Sequence, residues 1–578
     1  MTEASQTDSI RNHTLSDKDD RRIMLYHSQT IVFSLLLTGL GWLTCSAAAQ
    51  SPTQVPPTDI QQFFEYSGRA GTVIAVGSGA LPPEVFSAVV AAAGENGTVV
   101  VLPDAAEDPV AAAAEAQQKL QEAGLKPESI VSRSGPLDDA VRSSVLQALA
   151  TARAVWIPGG QQSRLYSAWQ NTELESALQQ LLQRGGTIAG SSAGAAIMSK
   201  IMIASGKDSP QMAIGWDLIP QAIVDQHFSE RNRLDRSRQA VAQHPGTIGL
   251  GLDEGTAAFL SGRTLRTVGS GNVTILLGAT GYRAAETIVL PAGAIADWSQ
   301  LRRAARQRAS GIDPGLPVSG PPTVKQGSLV IVGGGGMPQS IVDRFVQLAG
   351  GENASIVVLP TAVPREQTDV RIPGFLARAG VKKVTVLDQR GPDEVSSEAF
   401  RTALQEATGI WFGGGRQWNF VDAYENTEAV AAFHAVLQRG GVIAGSSAGA
   451  TIQGEFLVRG AVLGNQVMMA EGYERGFGFL PGSAIDQHFA QRGRQPDLLP
   501  VIQRHPQLLG IGLDEATAIV VTGSRAEVVG QHAAHFVRAD RLKDLPADQL
   551  PKTVEDAAKL YVTIPNGGSI DLLTLQPQ

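Results

Sequence analysis

Two sets of a serine, a histidine and an acid occur in this chain, in the same order and at nearly the same spacing. Three short motifs, each present twice, supply them: Gly-Ser-Ser-Ala-Gly-Ala (190–195 and 445–450), Asp-Gln-His-Phe (225–228 and 486–489) and Gly-Leu-Asp-Glu-x-Thr-Ala (251–257 and 512–518). Serine, histidine and acid together are the groups of a nucleophilic hydrolase site. Their repetition in register predicts that chemistry in both halves.

The first motif satisfies Gly-x-Ser-x-Gly and is preceded by an apolar run and followed by a helical pattern. Small residues around Ser192 allow a sharp strand-to-helix turn that raises the hydroxyl above the backbone. The amide of Ala193 is then free to face an oxyanion. Because Gly/Ser/Ala-rich turns are common in α/β proteins, the repeated histidine and acid carry much of the prediction.

The base is predicted to be His227. Beyond residue 49, the first half contains only this histidine and His244, which precedes a proline and fits a helix terminus. The acid that orients the imidazole stays open between Asp225, Asp253 and Glu254. On a strand, Asp225 and His227 would share a face, so spacing does not decide.

A further repeated segment is Trp-Ile-Pro-Gly-Gly-Gln-Gln at 156–162, which corresponds to Trp-Phe-Gly-Gly-Gly-Arg-Gln at 411–417. Two glycines after an apolar strand let the backbone approach a ligand and present N–H groups to it. The alternative is a simple turn.

Three arginines follow His227. Guanidinium groups bind carboxylates as a fork, so Arg231, Arg233 and Arg236 are predicted to hold substrate carboxylates, the alternative being a solvated surface. In the second half the third position is Asp497. We therefore expect the first half to be the better site for an anionic substrate.

The bulk composition is that of a globular protein with two to four domains: 578 residues, 43% apolar and 18% charged. A net charge of −8 without a basic tract argues against nucleic acid as a partner. Cys45 is the only cysteine. If residues 1–49 are removed as a signal peptide, the remaining chain has no disulfide, no thiolate metal site and no cysteine nucleophile. The missing cysteine nucleophile excludes a glutamine amidotransferase.

Residues 1–49 are predicted to be a signal peptide. An apolar stretch at 31–43 is followed by Ala47-Ala48-Ala49, which fits cleavage after Ala49. The stretch is shorter than the about 20 residues that span a membrane. We expect export to the periplasm or the exterior and no stable membrane insertion after cleavage. Lipid anchoring at Cys45 is less favoured.

The spacing predicts a duplicated domain. Ser192 and Ser447 lie 255 residues apart, and Glu254 and Glu515 lie 261 apart. The predicted organisation is a domain at 59–308, a Gly/Pro/Ser-rich linker at 309–327 and a second domain at 328–578. Because a tandem duplication can join the partners of a former dimer, the halves are expected to form an intramolecular pseudo-dimer.

Strand-like and helical patterns alternate within each unit. Apolar runs at 98–102, 154–157, 187–189 and 247–250 alternate with helical stretches at 109–123, 137–152 and 174–184. This alternation predicts an α/β fold in each half, with a mostly parallel sheet flanked by helices.

The three motifs together resemble those of the cyanophycinase-like serine peptidases of family S51, which also holds the aspartyl dipeptidases. The resemblance covers roughly 71–281 and 327–530. It implies a fold like the class I glutamine amidotransferases. It also implies a Ser-His-Glu acyl-enzyme mechanism without metal or cofactor.

The resemblance implies the following roles by position. The catalytic residues are Ser192, His227, Glu254, Ser447, His488 and Glu515. The oxyanion donors are the amides of Gly160, Ala193, Gly415 and Ala448. The substrate positions are Gln162, Asp225, Gln226, Arg231, Arg233 and Arg236, then Gln417, Asp486, Gln487, Arg492 and Arg494.

The implied substrate is cyanophycin or a related aspartyl or isoaspartyl-linked peptide. Cyanophycin has a poly-aspartate backbone with arginines on its β-carboxylates, and the family cleaves it to β-aspartyl-arginine dipeptides. Two alternatives stay open: a non-catalytic peptide-binding protein that uses the duplicated cleft, and a simple esterase.

Overall fold

The computed structural model describes residues 69–95, 97–314 and 320–578. The predicted signal peptide, with Cys45, lies outside the described residues.

The first half alternates strands and helices. Its strands are β1 (Arg69–Val76), β2 (Val99–Val101), β3 (Ile130–Val131), β4 (Ala154–Ile157), β5 (Thr187–Ser191), β6 (Ile201–Ser205), β7 (Gln211–Ile214), β8 (Ala222–Gln226), β9 (Ile248–Leu252), β10 (Thr256–Gly262), β11 (Thr264–Gly269), β12 (Val273–Leu277), β13 (Glu286–Leu290) and β14 (Ile295–Asp297). Its helices are α1 (Pro83–Ala93), α2 (Pro109–Glu122), α3 (Asp139–Leu149), α4 (Gln162–Trp169), α5 (Leu174–Gln183), α6 (Ala193–Ala196), α7 (Leu234–Gln243) and α8 (Trp298–Ser310).

The second half repeats this order. Its strands are β15 (Val324–Val332), β16 (Ser355–Leu359), β17 (Lys383–Val386), β18 (Gly409–Phe412), β19 (Val442–Ser446), β20 (Gly454–Phe456), β21 (Leu480–Gln487), β22 (Leu509–Leu513), β23 (Thr517–Gly523), β24 (Arg525–Gly530), β25 (Ala533–Val537), β26 (Val562–Pro565) and β27 (Ser569–Asp571). Its helices are α9 (Gln339–Leu348), α10 (Gly374–Arg378), α11 (Gly391–Val395), α12 (Glu398–Glu406), α13 (Trp418–Tyr424), α14 (Glu428–Gln438), α15 (Ala448–Thr451), α16 (Gln495–Arg504) and α17 (Val554–Ala558).

Each half is built on an eight-stranded mixed sheet. In the first half the order is β14-β11-β10-β1-β5-β4-β2-β3. The strands from β1 to β3 in this order are parallel, and β10, β11 and β14 extend the sheet in antiparallel fashion. The second half has the equivalent order β17-β16-β18-β19-β15-β23-β24-β27. The predicted α/β class is confirmed, and its parallel strands form one side of each large sheet.

A smaller sheet in each half carries the second part of the site. In the first half its order is β13-β12-β9-β8, and in the second half β20-β21-β22-β25-β26. Strands β8 and β9 are parallel neighbours, as are β21 and β22. Because parallel neighbours end at the same edge, the residues that follow them lie close together.

Apolar periodicity explains why the helices cover the large sheets. Helix α5 buries Leu174, Leu178, Leu181 and Leu182, spaced by three and four residues so that they form one stripe. These leucines join a core that includes residues of β1, β4 and β5. None of the described helices is long and apolar enough to cross a membrane.

The predicted elements are present with small shifts at their ends. The strand patterns correspond to β2, β4, β5 and β9, and the helical patterns to α2, α3 and α5. Helix α3 begins at Asp139, two residues after the predicted start, because the side chain of Asp138 caps it by accepting from Val141 N–H at 2.9 Å. The predicted linker overlaps the end of α8 and the start of β15; the domain boundaries stay predictions.

The halves differ most in the segment between the nucleophile and the histidine. In the first half β6 and β7 form a hairpin, and Trp216 N–H donates to Ile197 O. The equivalent bond in the second half joins Phe477 N–H to Ile452 O, which shows that six extra residues lie between them. This insertion accounts for the change in repeat spacing from 255 to 261.

The inserted segment contacts the first half. Glu471 accepts from Arg308 at 2.5 Å, Glu474 accepts from Arg283 at 2.5 Å, and Gly472 O accepts from Arg303 at 2.7 Å. Inserted residues often lie in exposed loops, whereas the side chains of Glu471 and Glu474 are largely buried. The insertion therefore helps to join the halves.

Candidate active site

Both predicted nucleophiles lie on a strained turn between a strand and a short helix. Ser192 has φ 53° and ψ −110°, and Ser447 has φ 56° and ψ −111°. Such a conformation costs a non-glycine residue about 1–3 kcal/mol and has to be held by its surroundings. Here Ser192 N–H donates to Val76 O and Ser447 N–H to Val332 O, each at 3.0 Å. The repeated strain matches the turn that exposes a nucleophilic serine.

Each serine is hydrogen-bonded to the histidine of the Asp-Gln-His-Phe motif. The distance from Ser192 Oγ to His227 Nε2 is 3.0 Å, as is that from Ser447 Oγ to His488 Nε2. This is the contact through which an imidazole removes the hydroxyl proton. The structure thus brings together the predicted serine and base in both halves.

The other ring nitrogen of each histidine faces a glutamate. His227 Nδ1 pairs with Glu254 Oε1, and His488 Nδ1 lies 2.6 Å from Glu515 Oε1. Of the three acids left open by the sequence, Glu254 is therefore the one hydrogen-bonded to the imidazole.

The two other acids have different partners. Asp253 accepts hydrogen bonds from the N–H and the Oγ of Ser229, at 3.2 and 2.5 Å, and from Asn272 N–H at 2.9 Å. It fixes the chain directly after the histidine. Asp225 is paired with arginines.

The loop that follows β1 supports the histidine and the glutamate. His227 N–H donates to Gly77 O at 3.0 Å, and Gly255 N–H donates to Ser78 O at 2.7 Å. In the second half His488 N–H donates to Gly333 O at 2.8 Å. Repetition of a glycine cluster after β1 and β15 was the available signal for this role.

Two of the repeated motifs depend on each other through packing. A Cβ added to Gly512 would lie 2.4 Å from the ring of Phe489, and one added to Gly251 would lie 2.6 Å from the ring of Phe228. The phenylalanine after each histidine therefore requires the glycine that opens Gly-Leu-Asp-Glu. This contact holds the base-bearing turn against the acid-bearing strand.

The predicted oxyanion donors lie beside the nucleophile. Ala193 begins α6, so its N–H has no carbonyl partner within the helix. Gly160 has φ 144°, and an added Cβ would lie 2.1 Å from Ala105 O, so only glycine fits there. A Cβ on the preceding Gly159 would lie 3.3 Å from Ser192 Cβ. In the second half, Gly415 has φ 148° and corresponds to Gly160, and Ala448 begins α15 as Ala193 begins α6.

The predicted substrate glutamines bind protein groups. Gln162 Nε2 donates to Ile203 O at 2.8 Å and Ala204 O at 2.9 Å. Gln417 repeats the contact with Val458 O and Arg459 O, at 2.9 and 2.7 Å. Their amide groups thus anchor the segment that follows the nucleophile helix.

Arg233 and Arg236 are paired within the protein, which corrects the electrostatic argument made from the sequence. Arg236 Nε donates to Asp225 Oδ2 at 2.8 Å, and Arg233 Nη1 donates to Asp225 Oδ1 at 3.1 Å. Arg233 also donates to the side chain of Gln226. Asp225 and Arg236 are buried, whereas Arg231 is exposed. Asp225 needs these cations because a buried carboxylate without a partner is unfavourable.

Asp497, the residue at the third arginine position of the second half, is paired within the protein. Arg459 Nε and Nη2 each lie 2.9 Å from the carboxylate of Asp486, and Nη2 also lies 2.6 Å from Asp497. The second cation paired with Asp486 therefore comes from a segment before the motif, whereas Arg236 follows the motif in the first half. Arg494 Nη1 donates to Asp486 Oδ1 at 3.2 Å, as Arg233 donates to Asp225. The expected preference of an anionic substrate for the first half stays a prediction.

Gln487 and Arg492 complete the second set. Gln487 O accepts from Arg494 at 2.6 Å, and its side-chain oxygen has no hydrogen-bond partner among the described residues. Arg492 is exposed, like Arg231 in the first half. The exposed arginines are therefore the members of the predicted set that can meet a ligand without breaking a buried ion pair.

A cavity of about 570 Å³ lies beside the first site. Its lining consists of Ser205, Gly206, Lys207, Arg231, Asn232, Arg233 and Arg236. The arginines of this lining begin four residues after His227. Ser205, Gly206 and Lys207 follow Ala204, whose carbonyl accepts a hydrogen bond from Gln162. The cavity is open to solvent along cationic side chains.

The surroundings of His488 change its acidity. Burial lowers the pKa of His488 below its ordinary value, and Arg492 and Arg494 act in the same direction, whereas the hydrogen bond that His488 donates to Glu515 raises it. A lower pKa keeps the imidazole neutral, and so able to accept a proton, at more acidic pH. Within the described ranges no group of three His, Cys, Asp or Glu side chains is arranged to hold a metal ion.

Comparison with known proteins identifies the same family in both halves. The model of peptidase family S51 matches residues 76–268 and 329–529. A cyanophycinase from Synechococcus elongatus is 33% identical over 225 residues, covering 37% of this chain and 70% of the relative. One from Trichormus variabilis is 42% identical over 144 residues, covering 23% and 48%.

A solved structure, that of a peptidase from an acI-B1 actinobacterium, is 21% identical and covers 40% of this chain and 98% of its own, with a TM-score of 0.33. The family model covers most of both halves, and each match contains a serine–histidine–glutamate set. On these matches the chain belongs to peptidase family S51 as a tandem duplication, and it is a serine-type peptidase.

Proposed function

We propose that the chain is an exported peptidase that hydrolyses cyanophycin or related aspartyl- and isoaspartyl-linked peptides through a Ser-His-Glu acyl-enzyme. The observation that carries the mechanism is the hydrogen-bonded set Ser192–His227–Glu254, repeated as Ser447–His488–Glu515. The name of the curated relatives and the cationic cavity beside the first site support the substrate class.

In the proposed reaction the Ser192 oxygen attacks the scissile carbonyl while His227 takes its proton. The amides of Gly160 and Ala193 donate to the developing oxyanion. His227 then protonates the leaving amine, and the C–N bond breaks to leave an acyl-serine. Water deprotonated by His227 attacks this ester and releases the serine. Glu254 holds the imidazole tautomer and stabilises the imidazolium.

The substrate is tested with the purified protein lacking residues 1–49. Cyanophycin and isoaspartyl dipeptides are offered separately, and the products are identified by mass. We expect release of dipeptides by the parent and no release by a Ser192→Ala, Ser447→Ala double variant. Hydrolysis of simple acyl esters alone would favour the esterase alternative, and binding without turnover would favour the peptide-binding alternative.

Export is proposed from the leader sequence. N-terminal sequencing of the protein from its native cells is expected to begin at or near Gln50. A first residue that lies before Ile31 would contradict cleavage of the leader.

A further inference from the structure

The cationic cavity of the first half contains two kinds of cation. Arg233 and Arg236 share the buried carboxylate of Asp225, which compensates one of their two positive charges and holds both guanidinium groups in place. Lys207 and Arg231 also line the cavity, and both are exposed. The exposed pair can therefore close directly on an anionic group that enters, because Asp225 does not hold these two side chains.

We propose that Lys207, together with Arg231, selects substrates that present a free carboxylate to the first site. The inference rests on the proposed peptidase function. Lys207 lies in the loop that joins β6 and β7, three residues after Ala204, which with Ile203 binds the side chain of Gln162. Gln162 in turn follows the oxyanion residue Gly160 by two positions. Lys207 therefore belongs to a segment that Gln162 connects to the oxyanion turn by hydrogen bonds, and a carboxylate bound by Lys207 would be positioned relative to that turn.

The second half lacks this lysine. Its corresponding segment, 460–474, is six residues longer and contains no lysine or arginine. Its two acidic residues, Glu471 and Glu474, are used in ion pairs with the first half. Arg416 donates to Ala461 O at 2.5 Å, so that guanidinium binds the segment's own backbone. Carboxylate selection is therefore assigned to the first site and is weaker in the second.

The test uses the full chain with Ser447→Ala, so that only the first site turns over. Two oligomers of β-aspartyl-arginine are compared that differ only in whether the arginine α-carboxylates are free or amidated. Lys207→Glu is expected to lower kcat/KM for the free-carboxylate oligomer by about 10-fold, mainly through KM, and to lower it much less for the amidated one. Lys207→Arg should retain most of the preference.

Lys126→Glu is the matched control, because it makes the same change of net charge at an exposed residue just before β3, outside the cavity. It should not alter the preference between the oligomers. A Ser192→Ala protein, in which only the second site is intact, is expected to discriminate less between them.

Equal losses on the two oligomers after Lys207→Glu would overturn the inference. Binding of both oligomers to the Ser192→Ala, Ser447→Ala protein, with and without Lys207→Glu, is measured by calorimetry. If the parent hydrolyses neither oligomer, the proposed function fails, and the binding difference still decides the role of Lys207.

Discussion

At the residue scale, the two sites are chains of hydrogen bonds in which each member orients the next. In a Ser447→Ala background, Ser192→Ala and His227→Ala are each expected to lower turnover by about 10³-fold or more, because either change removes the nucleophile or its base. Glu254→Gln should cost less than Ser192→Ala. Steady-state kinetics on the substrate established by mass would measure all three.

The control for the acid is Asp225→Asn. Asp225 is buried and pairs with Arg233 and Arg236, so its replacement should lower thermal stability as well as activity, whereas Glu254→Gln should leave the melting temperature nearly unchanged. A crippled but fully stable Asp225→Asn protein, together with a mild Glu254→Gln effect, would show that the acid is misassigned.

The acidity of His488 leads to a second residue-scale prediction. Its pKa is lowered by burial, so the imidazole becomes protonated at a lower pH than an ordinary histidine. In a Ser192→Ala protein, the acidic limb of kcat/KM is expected to lie below about pH 6.5, the ordinary value. A pH–rate profile with its limb at or above that value would contradict the expected shift.

At the element scale, strand β22, which leads into the turn that carries Glu515, has to pass closely over the turn that carries His488. Gly512→Ala would place a Cβ 2.4 Å from the Phe489 ring, and the ring is fully buried and cannot move freely. We expect a loss of about 1–3 kcal/mol in unfolding free energy, together with lower second-site activity.

The control for this change is Gly464→Ala in the same half, where an added Cβ would meet no atom within 4 Å. Denaturant unfolding of both variants measures the stability change. Equal stability of the two variants would show that the contact between glycine and phenylalanine does not constrain the site.

At the scale of the whole molecule, buried ion pairs join the halves. Asp422 is fully buried and binds Arg263, Arg303 and Tyr473. Asp422→Ala leaves these groups without their shared acceptor and is expected to cost about 3–5 kcal/mol. Asp369→Ala, which breaks an exposed pair, should leave the stability nearly unchanged. Chemical denaturation followed by tryptophan fluorescence compares them.

The contacts between the halves are not symmetric: the residues at the corresponding positions of the repeat do not form the same ion pairs. By the repeat spacings, Asp422 corresponds to Ser167 and Arg263 to Ser524, neither of which can form the equivalent ion pair. The ion pairs between the halves are therefore different on their two sides. The expected intramolecular pseudo-dimer stays a prediction.

The sequence by itself determined the duplication, the α/β class and the serine and histidine proposed for each site. Repetition singled out Ser192 and His227, and apolar periodicity placed the strands and helices, because both signals are local along the chain. The choice among Asp225, Asp253 and Glu254 was not local. It depended on which carboxylate the parallel strands bring to His227 Nδ1.

Only the tertiary structure decided the charges around the sites. Asp225 takes Arg236 in one half, and its counterpart Asp486 takes Arg459, which lies 27 residues before it in the sequence. An isolated motif cannot show that a guanidinium is already paired, because its partner is chosen by packing between segments distant in the chain. The same physical reason kept Lys207 out of the sequence-based site: its place in the cavity follows from the hairpin and not from a repeated motif.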